Sequence, residues 1–202
     1  MSGWSAHEGL AVGLARENVD TDQLIPARFM SAPRSEGYGR FLLHDLRGEG
    51  FPLDAPAAFG ASILVAGRNF GSGSSREAAV YALADAGFRV VIAPSFGDIF
   101  AANAVNNGLL PARADTAGLI ALLPARLNVD LAAQTVTGAG LRLSFDIDPV
   151  WKTKLLNGWD DIDLTAAHHD RIAAFAADRR TRAPWVWETA NRGAAPNTGR
   201  DR

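Results

Sequence analysis

A short run of small residues around one arginine has the composition of an anion-binding turn. The run occupies residues 71–77 and reads GSGSSRE. It follows an apolar run typical of a strand and precedes residues with helical spacing, so it lies where a helix begins. Backbone N–H groups and the helix dipole favour an anion at such a position. The guanidinium of Arg76 adds paired donors whose geometry suits a carboxylate.

The same run does not match three familiar motifs. Arg76 stands where the last glycine of a dinucleotide-binding G-x-G-x-x-G would be, the G-K-S/T ending of a P-loop is absent, and no G-x-S-x-G nucleophile elbow occurs. Two interpretations of Ser74 remain. With Glu77 it forms the S-x-x-E pattern of a capping box, which needs no ligand. As a hydroxyl beside Arg76 it is a candidate for catalysis or anion binding, and the two roles are compatible.

Metal binding by this chain is not predicted. The acidic cluster Asp20-Thr21-Asp22 could be a metal-binding pair of carboxylates, but such clusters more often form an Asx-type turn. The sequence has no cysteine and four histidines. The lack of cysteine excludes disulfides, thiolate zinc sites, cysteine nucleophiles and any iron–sulfur cluster held by cysteines of this chain.

The elements around the glycine-rich run alternate between strand and helix. Each apolar run ends at a glycine or proline, and the stretches between them have helical spacing. This order predicts an α/β fold with parallel strands and right-handed crossovers. The predicted elements are a strand at 62–66, a helix at 75–86, a strand at 88–93, a helix at 95–107 with a second capping box from Ser95 to Asp98, and a strand at 109–111.

The remaining segments are less regular. Residues 31–50 predict a long loop, and loops of this length are often functional. Short strands of a meander are predicted at 127–129, 135–136 and 141–147, and a helical stretch at 160–177. Residues 188–202 are polar, small and proline-containing, so they predict a disordered tail after a single domain over 1–187.

Composition narrows the possible partners and the location. The 202 residues carry a net charge of −2, so the chain has no general attraction to nucleic acid or to an anionic membrane. The N-terminus lacks the pattern of a signal peptide, and no apolar run reaches the roughly 18 residues that a membrane span needs. A cytoplasmic protein is expected.

Several motifs, taken together and in order, resemble the small subunit of 3-isopropylmalate dehydratase. They begin with NVDTDQLIPARF and NFGSGSSRE and end with LLNGWDDI. They extend over roughly residues 10–175, which is most of the chain. The matching segments are 18–29, 69–77, 91–100, 106–111 and 155–162.

The resemblance implies a fold, a partner and a reaction. It implies a swivelling β/β/α domain like the mobile C-terminal domain of aconitase, together with a separate large subunit that binds a [4Fe-4S] cluster. The family reaction interconverts 2-isopropylmalate and 3-isopropylmalate through isopropylmaleate in leucine biosynthesis. In it, the cluster iron of the partner acts as a Lewis acid on the leaving hydroxyl. The lack of cysteine in this chain fits this division between two subunits.

The resemblance also implies roles for individual residues. Ser74 matches the serine that, as an alkoxide, takes the proton from the substrate carbon. Arg76 matches the arginine that stabilises this alkoxide and contacts a substrate carboxylate. The loop from Arg28 to Arg40 matches the specificity loop of the family. The implied substrate-binding residues are Ser75, Arg34, Arg28, Thr21 and Asp22.

Departures from the family pattern leave the exact substrate open. Ser72 stands where many members have cysteine, and Ala78 stands where they have histidine. A related small subunit acting on homoaconitate or citramalate is therefore an alternative. A non-catalytic anion-binding module is another, and an RNA-binding relative is disfavoured by the acidic balance.

Overall fold

A seven-stranded mixed sheet organises residues 1–161. The computed structural model describes residues 2–187, so the predicted disordered tail at 188–202 lies outside the described residues. The strand order is β4-β3-β2-β1-β5-β6-β7, with β1 to β4 mutually parallel and β1, β5, β6 and β7 antiparallel in turn. The strands are β1 Ala6–Leu14, β2 Ile63–Ala66, β3 Val90–Ala93, β4 Leu110–Arg113, β5 Ala125–Asp130, β6 Thr135–Gly138 and β7 Leu141–Ser144.

The parallel and antiparallel halves of the sheet are both as the sequence predicts. β2 and β3 are buried at every position, as parallel strands covered on both faces must be. The sheet also curls towards closure. The backbone of Asp146, just after β7, pairs with Arg113 on β4, the strand at the opposite edge. These observations confirm the α/β class.

Helices cover both faces of the sheet. Leu64 and Val91 point into one apolar cluster, which includes side chains of α1, α2 and α3. Ile63 and Val65 point into the other, which includes side chains of α3, α4 and α5. This alternation follows from the two-residue period of a strand. The helices are α1 Thr21–Leu24, α2 Glu77–Asp85, α3 Asp98–Asn106, α4 Ala117–Ile120, α5 Pro149–Asn157, α6 Asp161–Ala166 and α7 His169–Arg182.

The two predicted capping boxes are wrong. α2 begins at Glu77 with Arg76 as its N-cap, and α3 begins at Asp98 with Gly97 as its N-cap; neither has a side-chain cap. Ser74 lies two residues too early to cap α2. The hydroxyl of Ser95 instead accepts a hydrogen bond from the backbone N–H of Asn69 at 2.8 Å.

The predicted loop at 31–50 belongs to a longer series of tight turns between α1 and β2. Buried Leu42 and Leu43 attach this series to the core, and the N–H of Leu43 donates to the carbonyl of Leu24 at 3.0 Å. The segment is therefore ordered without a long helix. Its 3₁₀ turns are Ala27–Ser31, Arg34–Glu36, Gly39–Phe41, His44–Leu46, Pro52–Asp54 and Pro56–Ala58.

The chain divides into two compact units, one ending at Asp161 and one beginning at Ile162. In the described part of the second unit, the predicted helical stretch forms the rest of α6 and the whole of α7, followed by a 3₁₀ turn at Pro184–Val186. The single domain over 1–187 stays a prediction. Within residues 2–187, no helix is long and apolar enough to cross a membrane.

Candidate active site

The loops that follow β1, β2 and β3 meet at one edge of the sheet. Parallel strands bring their carboxyl ends together, and ligands of open α/β sheets bind outside those ends. The loop after β1 carries Thr21 and Asp22, and the loop after β2 carries Ser74 and Arg76. Backbone pairing joins the two loops, because the N–H of Thr21 donates to the carbonyl of Ser72 at 2.9 Å.

Gly71 fixes the course of the loop at residues 69–76. Its N–H donates to the carbonyl of Val19 at 2.7 Å. Its φ of +72° lies in the left-handed region, and an added Cβ would lie 2.2 Å from the ring of Phe100. Phe100 packs in turn against Phe70, with ring centroids 5.5 Å apart. The aromatic rings therefore pack against the loop. No local sequence pattern predicts this contact.

Ser74 and Thr21 form the centre of the site. The buried hydroxyl of Thr21 donates to the carbonyl of Ser74 at 3.0 Å and lies 3.3 Å from the hydroxyl oxygen of Ser74. Ser74 itself is exposed. It has one hydroxyl neighbour from the chain and an open side towards solvent, which is the environment that a substrate-facing group requires.

Arg76 forms an ion pair with Asp22 across the same two loops. The Arg76 side chain is 24% exposed and that of Asp22 is 58% exposed. The backbone N–H of Arg76 also donates to the carbonyl of Ser74 at 2.8 Å. Because the pair is open to solvent, water screens it, and a substrate carboxylate can compete with Asp22 for the guanidinium at low cost.

Asp20 acts as a helix cap. Its carboxylate accepts from the N–H of Gln23 at 2.7 Å, and the Gln23 side chain accepts from the N–H of Asp20 at 3.2 Å. The predicted turn is thus the capping box of α1. The sequence predicts capping boxes at α2 and α3 instead. No cluster of three potential metal-ligating side chains occurs in the part of the chain that the structure describes.

Arg28 and Arg34 are not brought to the Ser74 centre. Arg28 forms an ion pair with Asp45. The hydrogen bond from Arg28 lowers the pKa of the Asp45 carboxyl to about 2, with a smaller contribution from His44. Ser75 is exposed beside Ser74, and its role in substrate binding stays a prediction.

Arg34 lies at the opposite end of α2 from Ser74. It donates two hydrogen bonds to Asp85, at 2.7 and 3.0 Å, and its guanidinium lies 4.4 Å from the ring centroid of Tyr81. Burial raises the pKa of the Tyr81 hydroxyl, and Glu77 adds to this shift. Nine residues of helix separate the two ends of α2, which is about 13 Å at 1.5 Å per residue.

Comparisons with known proteins agree with this architecture. The family model described as the aconitase C-terminal domain matches residues 1–117, and LeuD_N matches residues 124–149. A 3-isopropylmalate dehydratase small subunit of Frankia casuarinae is 44% identical over 91% of this chain and 98% of the relative. One of Halalkalibacterium halodurans is 46% identical over 86% of this chain and 96% of the relative.

A solved structure supports the same assignment. The crystal structure of a 3-isopropylmalate dehydratase from Methanocaldococcus jannaschii is similar to this chain with a TM-score of 0.64 and 29% sequence identity, covering 75% of this chain and 87% of that one. The expected aconitase-like fold is therefore confirmed. The chain belongs to the family of 3-isopropylmalate dehydratase small subunits.

Proposed function

We propose that this chain is the small subunit of a two-subunit hydro-lyase that interconverts 2-isopropylmalate and 3-isopropylmalate through isopropylmaleate, in leucine biosynthesis. The observation that carries the proposal is the arrangement at the carboxyl edge of the sheet. There an exposed Ser74 hydroxyl lies 3.3 Å from the Thr21 hydroxyl and just before Arg76 at the start of α2.

Ser74 acts as the base that takes a proton from the substrate carbon. A serine hydroxyl is a weak base unless its anion is stabilised by positive charge and aligned dipoles. The guanidinium of Arg76 and the positive end of α2 supply both. When water is added back across the double bond of the intermediate, one carbon receives the hydroxyl. Ser74 returns its proton to the other carbon and becomes an alkoxide again.

Thr21 positions Ser74 and can also stabilise its anion. The Thr21 hydroxyl has one proton, and it now donates that proton to the carbonyl of Ser74. Rotation of this hydroxyl directs the proton to the Ser74 oxygen instead, 3.3 Å away. A charged acceptor makes the stronger hydrogen bond, so ionisation of Ser74 favours this rotation.

Arg76 binds one substrate carboxylate after releasing Asp22. We assign Asp22 and Ser75 to the substrate-facing surface around it, whereas the buried Thr21 acts on the substrate through Ser74. Arg34 acts at a distance from Ser74, through the shape of the loop at 28–40, because its partner Asp85 lies at the far end of α2. We assign Arg28, paired with Asp45, to the same loop.

A large subunit supplies the remaining groups of the site. The residues of this chain do not fit a [4Fe-4S] cluster, because its sequence contains no cysteine to provide thiolate ligands. We assign the cluster to the large subunit, where it provides Lewis-acid chemistry. The steps of this chain are substrate binding and proton transfer by Ser74.

The test is reconstitution with an iron-loaded large subunit. Mixing should produce turnover of 2-isopropylmalate that neither subunit shows alone. Homoaconitate and citramalate in the same assay should be turned over more slowly. Turnover by this chain purified free of any partner, or no turnover by the mixture, would contradict the proposal.

Exchange of residues 28–40 tests the role of the loop. Replacing them with the corresponding loop of a homoaconitase small subunit should change the ratio of kcat/KM between the two substrates. An unchanged ratio would show that the loop does not govern substrate choice.

A further inference from the structure

A groove of about 390 Å³ lies at the same edge of the sheet as residues 69–76, which the proposed function makes the catalytic loop. It is bounded by β4, α3 and α5. Phe96, Ile147 and Trp151 form apolar walls, and three charged residues, Arg113, Asp146 and Asp148, line its polar side. Neither the substrate-facing residues nor the loop at 28–40 takes part in it.

The groove is continuous with the catalytic loop. Phe96 follows β3, and the next residue, Gly97, donates its N–H to the carbonyl of Phe70 in the catalytic loop at 2.9 Å. The rings of Phe70 and Phe96 pack edge to face with centroids 6.4 Å apart. Arg113 ends β4, two strands from β2, and two strand spacings amount to about 10 Å.

Exposed apolar side chains flank the groove along the chain. Ile99 is 54% exposed in the first turn of α3, three residues after Phe96. Val150 is 49% exposed in the first turn of α5, immediately before Trp151. Exposed apolar side chains next to a groove with apolar walls are typical of a protein interaction site.

We propose that this groove, with Ile99 and Val150, is a docking surface for the large subunit, which places an apolar side chain between Phe96 and Trp151. The proposal rests on the proposed function, because that function requires a partner to cover Ser74.

The expected size of such an interface supports this occupant. A standard interface buries about 800 Å² on each partner, which is a disc of roughly 16 Å radius. Centred on Ser74, a disc of that radius extends past the two strand spacings of about 10 Å that separate β2 from β4. A large subunit that closes the site therefore contacts the groove as well.

Charge substitutions at the two exposed positions test the proposal. A fixed amount of the small subunit carrying Ile99→Glu or Val150→Glu is titrated with the iron-loaded large subunit, and activity gives an apparent Kd and a kcat at saturation. A carboxylate in the first turn of a helix interacts favourably with the helix dipole, so both variants should melt like the parent.

Phe59→Glu is the matched control. Phe59 is 92% exposed and lies before β2, at the amino edge of the parallel strands. We expect Kd to rise at least about tenfold for both groove variants, equivalent to about 1.4 kcal/mol, with kcat at saturation unchanged. Kd for the control should stay at the parental value. Arg113→Glu is an independent variant. It should also raise Kd, because it leaves the apolar contacts unchanged and adds a third carboxylate beside Asp146 and Asp148 in the groove that the partner covers.

Three outcomes would overturn the proposal. The first is a parental Kd for Ile99→Glu, Val150→Glu and Arg113→Glu while the parent forms an active complex, which leaves the proposed function intact. The second is a sedimentation experiment in which these variants dissociate a dimer of this chain without changing Kd, which assigns the groove to a second copy. The third is a parent that forms no complex at all, which refutes the proposed function together with this surface.

Discussion

Substitution of Ser74 by alanine separates a catalytic role from a structural one. Because Ser74 does not cap α2, alanine removes no helix cap. Its backbone φ is not positive, so alanine fits the local conformation. The substitution removes one hydroxyl, whose neighbour within the described chain is the Thr21 hydroxyl at 3.3 Å.

The expected loss of stability is small. A distance of 3.3 Å is long for a hydrogen bond between two hydroxyls, which usually measures about 2.7–2.8 Å. Thr21 also keeps its better partner, since the carbonyl of residue 74 remains. An ordinary hydrogen bond contributes about 0.5–1.5 kcal/mol, so we expect less than about 1 kcal/mol here. For a chain of this size, that lowers Tm by less than about 4 °C.

The expected loss of activity is large. Removal of a general base typically lowers the rate by about 10²–10⁴-fold. The assay is kcat of Ser74→Ala reconstituted with saturating large subunit, measured beside its melting curve. Ser144→Ala, which removes an exposed hydroxyl from the edge strand β7, is the control for handling and assembly.

A near-parental kcat for Ser74→Ala would refute the role of Ser74 as the base. If Ser74→Ala assembles, melts like the parent and keeps a kcat within about threefold of it, the loss is far below the range for a general base. Ser74 would then have no catalytic role, and the base would have to be another group at the carboxyl edge of the parallel strands.

Three further predictions concern charge, pH and backbone. Arg76→Lys should lower kcat at least about tenfold with little change in Tm, because lysine keeps the charge and loses the planar fork; a parental kcat would argue against bidentate binding. His7 has a pKa lowered from 6.5 by burial and by Arg89, so its contribution to stability is complete above about pH 6.5 and is lost as the pH falls below that value. Urea unfolding at about pH 7.5 and 5.5 should show a smaller pH dependence for His7→Gln, and an equal dependence would exclude this residue as a source. Gly71→Ala should destabilise the fold by about 2–4 kcal/mol, because alanine is strained at a positive φ and its Cβ would overlap Phe100. The control Gly140→Ala has a similar positive φ but open space around it, so it should cost about 1–2 kcal/mol. Equal losses of stability would show that the Phe100 ring moves aside at no cost.

The sequence predicts the alternating strands and helices well because each apolar run is uninterrupted and ends at glycine or proline. It does not locate helix starts, since Ser74 and Ser95 both match a capping pattern while the chain begins each helix later. It also misses α5, although Pro149 at its first turn and Gly158 at its end are ordinary boundary signals. Its apolar residues are too few to give a clear helical period.

Long-range contacts explain the remaining differences in the candidate site. Thr21 and Ser74 are 53 residues apart in the chain, so no local pattern shows that their hydroxyls meet. Arg34 is a residue that the sequence predicts to bind substrate but that the fold pairs with another side chain. Its place in a long polar loop suggests a free ligand for carboxylates. Its pairing with Asp85, 51 residues away, becomes visible only in the folded chain.

The backbone hydrogen bonds between the loops after β1 and β2 have a consequence for how such a protein can change. Thr21 and Gly71 connect these loops directly, through the carbonyls of Ser72 and Val19. The whole series of 3₁₀ turns lies between them in the chain. Hydrogen bonds therefore hold the two ends of this segment together. Insertions, deletions or replacements within that segment leave these hydrogen bonds in register when they keep the buried Leu42 and Leu43. Substitutions in the turns can therefore change substrate preference while the distance between the Thr21 and Ser74 hydroxyls stays fixed.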